Sequence, residues 1–131
     1  MRSRLIVNSE IKSLDNVYSW VKEILTNEVG QKQLQNILLI TQEMVTNSIL
    51  HGNREAVDKE VIVEVEIKQN DIYINIEDEG EGLKTLPSKE EAKELDYLSE
   101  NGRGVKLAVL MTKSIELNGN RMKLIFTKGT E

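Results

Sequence analysis

The sequence predicts an α+β fold, a two-layer sandwich in which helices cover one face of a mixed, mainly antiparallel sheet. Three observations carry this prediction. Val61, Val63, Val65 and Ile67 alternate with Ile62, Glu64, Glu66 and Lys68, and the pattern is mirrored by Ile72, Ile74 and Ile76 against Tyr73, Asn75 and Glu77. Period-two alternation sends one set of residues to each face, so this pair of strands has one apolar and one polar side. Two earlier runs carry apolar residues at helical spacing instead. The element order is then strand, two helices, hairpin, irregular stretch, helix, hairpin.

Taken in order, Leu5-Ile6-Val7 is short, β-branched and bounded by polar residues, and reads as an edge or near-edge strand. Leu14, Val17, Val21, Ile24 and Leu25 define a first helix with one buried face, capped at Ser13 or Asp15 and stopped by Gly30. Tyr18 and Trp20 lie on or beside that face and read as packing residues. A second helix runs from about Lys32 to His51, with Leu34, Ile37, Leu38, Thr41, Met44, Val45, Ser48 and Ile49 as its core face and Gly52 as its C′ residue. The alternating pair turns at Gln69-Asn70-Asp71. Leu83 to Asn101 breaks the pattern with Pro87 and a run of charge; Ser88-Lys89-Glu90-Glu91 fits a capping box, which predicts a short helix to about Leu98 inside a candidate lid. Gly104 to Lys113 is nearly all apolar and too short to span a membrane, so it is expected to be buried. Ser114 to Leu117 and Met122 to Phe126 close the fold as a hairpin around Asn118-Gly119-Asn120.

At 131 residues the chain is expected to form one domain, residues 1–131, with enough length to bury its own core. It has no cysteine, which removes disulfides, thiolate chemistry and Cys-based metal sites. The 17 Lys and Arg against 22 Asp and Glu give a net charge of −5, and no dense basic run occurs, so direct nucleic-acid binding is not expected. The apolar run after Met1-Arg2-Ser3-Arg4 is too brief for a signal peptide and no segment suits a membrane span, which predicts a soluble, cytoplasmic protein.

Three stretches carry groups suited to chemistry. Within the second helix Glu43, Asn47 and His51 recur at steps of four and share one side. Burying such a stripe without partners costs several kcal/mol, so it must face solvent, protein partners or a polar ligand. An Asn47 carbonyl suits a hard cation such as magnesium between phosphates. Glu43 suits a general base acting on a hydroxyl. His51 reads as structural, stabilised at a helix C-terminus. Asp78-Glu79-Gly80-Glu81-Gly82 ends a strand with an acceptor suited to an exocyclic amino group, followed by glycines that permit close approach; taken alone it reads more readily as an ordinary strand-to-loop exit. Asn101-Gly102-Arg103-Gly104 opens a helix, where free N–H groups and an arginine suit phosphate oxygens, or where a simple cap would serve. Neither a Walker A loop nor a dinucleotide G-x-G-x-x-G is present.

In combination, Glu43-x-x-x-Asn47-x-x-x-His51-Gly52, Asp78-x-Gly80-x-Gly82 and Gly102-Arg103-Gly104 resemble, in this order, the N box and two glycine boxes of the GHKL ATPases, which have the Bergerat fold. The pattern is most similar to that of the bacterial anti-sigma-factor serine protein kinases, with Ser48 in place of their usual alanine. The resemblance implies that Asp78 contacts the adenine amino group, that Asn47 holds Mg2+, that Gly80, Gly82, Gly102 and Gly104 let loops close on ATP, with Arg103 beside the phosphates, and that Glu43 is the base for transfer to a protein serine. It also implies a sigma factor and an anti-sigma-factor antagonist as partners, and a homodimer. One position departs from the pattern: the family usually has Gly-Thr before the last strand, whereas Gly119-Asn120 stands here, with Asn120 retaining hydrogen-bonding groups for the nucleotide. Two other readings remain open at this point. One is a regulatory protein-binding module, nucleotide-responsive or nucleotide-free and without kinase activity. The weaker is the catalytic portion of a histidine kinase, against which stand the single histidine inside the N box, the lack of upstream dimerisation helices and the short lid.

Overall fold

Alternation becomes strand and helical spacing becomes helix throughout the residues the computed structural model describes, which are 1–82, 86–93 and 103–129, with the side chain of Arg103 outside them. The elements are β1 (Arg2–Asn8), α1 (Ser13–Leu25), α2 (Gln31–Asn47) continuing into one π-helical turn (Ser48–Gly52), β2 (Glu60–Lys68), β3 (Asp71–Glu77), α3 (Lys89–Ala92), α4 (Arg103–Met111), β4 (Ser114–Asn118) and β5 (Arg121–Thr127). The strands form one five-stranded sheet in the order β1-β2-β3-β5-β4. Every neighbouring pair in it is antiparallel. β5 lies inside the sheet and β4 at its edge, so the chain passes from β3 through α3 and α4 to the rim before turning back to pair with β3.

Register explains the two faces. Val63 pairs with Leu5 and Ile76, and Ile74 pairs with Val65 and Leu124, so aliphatic residues line up across strands on the side that the helices cover. Val61, Val63, Val65, Ile72, Ile74, Leu124 and Phe126 have no exposed surface, and they meet Val21 and Leu25 of α1 and Ile37, Ile40 and Val45 of α2. Burying each such side chain is worth about 1.5–3 kcal/mol relative to leaving it in water. The opposite face is charged: Glu64 faces Arg2, Glu77 faces Arg121 at 2.9 Å, and Lys68 and Lys123 flank the Tyr73 ring. Hydrated ion pairs of this kind hold the face in solvent and add little stability each.

Several boundaries differ from expectation for local reasons. Neither Ser13 nor Asp15 caps α1; Lys12 is the N-cap, without a side-chain hydrogen bond, and the Ser13 N–H is taken by the Glu10 carbonyl at 2.9 Å. α1 ends at Leu25, and Gly30, in extended conformation, instead opens α2 as its N-cap. Gly52 is not a left-handed C′ residue: α2 widens into the π turn, in which Asn53 N–H reaches the Ser48 carbonyl at 2.8 Å. Ser48 is only half-buried, while Ile40 is fully buried because α2 packs between α1 and α4 as well as on the sheet. α4 is not buried throughout. Gly104 and Ala108 are, but Leu110 is 40% exposed, since the contacts of this helix with α2, α3 and β4 do not cover that position among the described residues.

The capping box of the irregular stretch forms as expected. Glu91 N–H donates to Ser88 Oγ at 3.1 Å and Ser88 N–H to Glu91 Oε1 at 2.9 Å, which starts α3. The rest of the expected helix, to about Leu98, and most of the candidate lid lie outside the described residues. The two hairpins turn through Gln69-Asn70 and Gly119-Asn120, with Gln69 and Gly119 in the left-handed region that such tight turns require. No helix among the described residues is long and apolar enough to cross a membrane.

Candidate functional site

A cavity of about 460 Å³ opens where the end of α2, the exit of β3, the first turns of α4 and the β4–β5 turn meet. This is within the range of sites that enclose a small organic ligand. Asn47 and Ser48 come to it from the α2 end, Asp78, Gly80 and Gly82 from the loop after β3, and Asn120 from the β4–β5 turn. Met44, Ile76, Val105 and Met122 add apolar wall. Apolar wall and polar groups together suit a planar ring with hydrogen-bonding edges that carries a charged or polar chain.

Asp78 is the polar centre. It is 8% exposed, directly after the last residue of β3, and its N–H still pairs across the sheet with the Asn120 carbonyl at 3.2 Å. One carboxylate oxygen, Oδ1, accepts from the Gly80 N–H at 2.8 Å. The other accepts no hydrogen bond from the described residues, and a nearly buried carboxylate with a spare oxygen invites a donor from a ligand.

Two glycines are required by packing around this carboxylate. A side chain on Gly52 would overlap the Asp78 carboxyl group itself, and one on Gly80 would overlap the Gly52 carbonyl. The π turn therefore brings backbone where only glycine fits, directly beside the carboxylate. Gly82 is required in addition by its conformation, with φ +82 and the Gly119 carbonyl against it.

The polar stripe of the second helix is divided between places. Asn47 faces the cavity, and His51, on the π turn, is exposed at its rim. Glu43 is half-buried one turn earlier and meets the start of α4: its Cβ and one carboxylate oxygen each lie 3.1 Å from where a Cβ on Gly104 would project. Gly104 thus belongs to a close helix–helix contact beside Glu43. Gly102 and Asn101 lie outside the described residues, and of Arg103 only the backbone, the first residue of α4, is described. Asn120 lines the cavity, but its side-chain amide donates to the Asp78 carbonyl, so at least part of its hydrogen-bonding capacity is spent on the protein.

Sequence reasoning missed the basic groups. Arg54, Lys59 and Arg121 also line the cavity. Arg121 is held by Glu77 through two hydrogen bonds of 3.0 and 2.9 Å. Arg54 and the following Glu55 have φ of +52 and +57, left-handed values that cost non-glycine residues on the order of 1 kcal/mol or more each. The only signal for Arg54 and Lys59 was their place in the polar connection after the second helix.

Comparison with known proteins agrees with this geometry. A family model for the histidine kinase-like ATPase domain matches residues 7–128. An anti-sigma F factor of Clostridium perfringens (strain SM101) is 33% identical over 97 residues, which cover 70% of this chain and 67% of that protein. An anti-sigma F factor of Oceanobacillus iheyensis is 32% identical over 90 residues, 65% of this chain and 60% of that protein. The anti-sigma F factor of Bacillus subtilis is 36% identical over 62 residues, 47% of this chain and 40% of that protein. The family match spans nearly the whole chain and includes every segment that builds the cavity around Asp78, and the chain accordingly belongs to the histidine kinase-like (GHKL) ATPases and has their ATP-binding domain.

Proposed function

We propose that this chain is an anti-sigma factor and protein-serine kinase that uses ATP and Mg2+, sequesters a sigma factor, and phosphorylates on serine the antagonist that releases it. The single observation that carries the nucleotide site is Asp78, a nearly buried carboxylate at the cavity wall with one oxygen left for a donor. Similarity to several anti-sigma F factors supports the partner class. We take residues 1–131 as one domain working in the cytoplasm as a homodimer, without nucleic-acid or membrane contact of its own.

In this reading Asp78 accepts from the adenine amino group, which gives binding its base selectivity. Gly52, Gly80 and Gly82 let the π turn, the β3 exit and the β4–β5 turn pack directly on one another, which holds the Asp78 carboxylate at the cavity wall where the ring would meet it. Asn47 holds the metal through its side-chain oxygen; magnesium usually takes one or two protein oxygens plus phosphates, and when bound it neutralises charge developing on the phosphoryl group. The start of α4, at Arg103 and Gly104, would offer helix N–H groups to the phosphates, and Gly102 and the Arg103 side chain are assigned to the same task from the sequence motif alone. Glu43, on α2 and packed against that helix start, takes the proton of the incoming serine hydroxyl as the serine oxygen bonds to the γ-phosphorus and the bond to the β–γ bridging oxygen breaks, releasing ADP.

Transfer of labelled γ-phosphate to a serine of a cognate antagonist tests the kinase directly. Removing a general base typically costs 10²–10⁴-fold, so Glu43→Ala should lower the transfer rate by about a hundredfold or more while ATP affinity changes little. Transfer at the unaltered rate would remove Glu43 from the mechanism. A second reading, a nucleotide-responsive binding module without kinase activity, draws on Asn120, whose amide is committed to Asp78 where the family's threonine usually serves the nucleotide. ATP binding with no transfer to any antagonist would favour it.

A further inference from the structure

The peptide group between Asp78 and Glu79 is held at both ends by asparagine side chains. Its carbonyl accepts from Asn120 Nδ2, and its N–H donates to Asn53 Oδ1 at 2.7 Å. Asn120 was marked by the sequence; Asn53 was not. Asn53 is 1% exposed, is not part of the cavity wall, and follows the π turn directly. Its Nδ2 donates to Glu60 O at 2.9 Å and to Ser9 Oγ at 2.8 Å. Ser9 uses its own proton on the Lys59 carbonyl at 2.8 Å, so it is oriented to accept. Glu79 completes a closed ring, because its Oε2 accepts from the Glu60 N–H at 2.7 Å. Asn53, Glu60 and Glu79 thus hold one another in a circuit that ties the end of the π turn, the start of β2 and the exit of β3.

We infer that Asn53 is a positioning residue for nucleotide selection, acting through the Asp78–Glu79 peptide to aim the Asp78 carboxylate into the cavity. This rests on the reading of the cavity as an adenine-nucleotide site. Fixing both ends of one peptide plane restricts the two torsions on either side of it, and the first of these sets where the Asp78 side chain points. Oδ1 is separately tied to Gly80, so the remaining oxygen has one direction left. An asparagine is needed because the position must donate twice and accept once. An aspartate would set an oxygen against the Glu60 carbonyl, and an alanine would leave the Glu79 N–H and the Ser9 hydroxyl short of a partner. The strain of Arg54 and Glu55 follows directly after this anchor, and the tie of Glu55 N–H to the Ile49 carbonyl at 2.7 Å helps to hold it.

The test is the ratio of the dissociation constants of ITP and ATP, each with Mg2+, measured by calorimetry on the full chain, with the melting temperature recorded for every variant. ITP has a carbonyl where ATP has the amino group that Asp78 accepts from. The unaltered chain should favour ATP. Asn53→Ala should reduce that preference by about tenfold, chiefly by weakening ATP, with ITP affinity nearly unchanged. Equal weakening of both nucleotides, or an unchanged ratio, would show a role in stability alone and overturn the inference. Glu79→Ala serves should Asn53→Ala fail to fold: its side chain is on an exposed residue, and opening the ring there should still reduce the preference about threefold, whereas a full preference would overturn the inference. Failure of the unaltered chain to bind ATP would instead overturn the nucleotide reading itself.

Discussion

Gly52 is where sequence, packing and chemistry meet in one residue. A helix-ending glycine is the ordinary reading of this position, but its φ is not left-handed, and the reason for glycine is the carboxylate of Asp78 standing where a side chain would be. Gly52→Ala should therefore displace that carboxylate or the π turn, lowering ATP affinity by at least about tenfold with a smaller effect on folding. Calorimetry with a parallel thermal melt would check this; unaltered affinity would mean the contact relaxes freely. Asp78 and the glycines after it were legible in the sequence because their spacing is local. Asn53 was not, since each of its partners comes from a segment brought near only by the fold.

At the scale of elements, α2 shows how an even helical pattern can be right about type and wrong about detail. Apolar spacing identifies the helix, but a π turn depends on what its last residues must reach, and here that is the β3 exit. α4 shows a related limit: an all-apolar run reads as buried, whereas Leu110 is exposed although α2, α3 and β4 all touch this helix. α3 is the opposite case, a four-residue helix whose capping box was written in sequence and forms as expected. Hydrogen bonds from the Ser88 backbone and side chain hold the Glu91 carboxyl below its ordinary pKa. A carboxylate with a lowered folded pKa contributes fully above its unfolded value, and the contribution is lost as the pH falls through the lowered one. Amide protection across Lys89–Ala92 should accordingly be full at neutral pH and decline on acidification below the usual carboxylate range. Ser88→Ala should reduce it about fivefold at neutral pH, as read by hydrogen exchange; protection indifferent to both changes would contradict the role of the box.

For the whole molecule, the two layers and their hairpins followed from alternation and turn chemistry, because burying one face is enough to set strand register. The order β1-β2-β3-β5-β4 did not follow, since placing β5 rather than β4 beside β3 is decided by how the chain returns after α4. That return matters for function: it brings the β4–β5 turn, and with it Asn120, against the strand exit that carries Asp78. The cavity is thus a product of four segments, the end of α2, the exit of β3, the start of α4 and the β4–β5 turn, meeting around one carboxylate. The measurement that tests this account most directly is a calorimetric titration of the chain with ATP and Mg2+ beside an Asp78→Asn variant that remains folded. The account predicts saturable binding to the unaltered chain and a loss of more than about tenfold in the variant, as expected when a charge-assisted hydrogen bond is removed. Equal affinity of the two proteins, or no binding by the unaltered one, would contradict it.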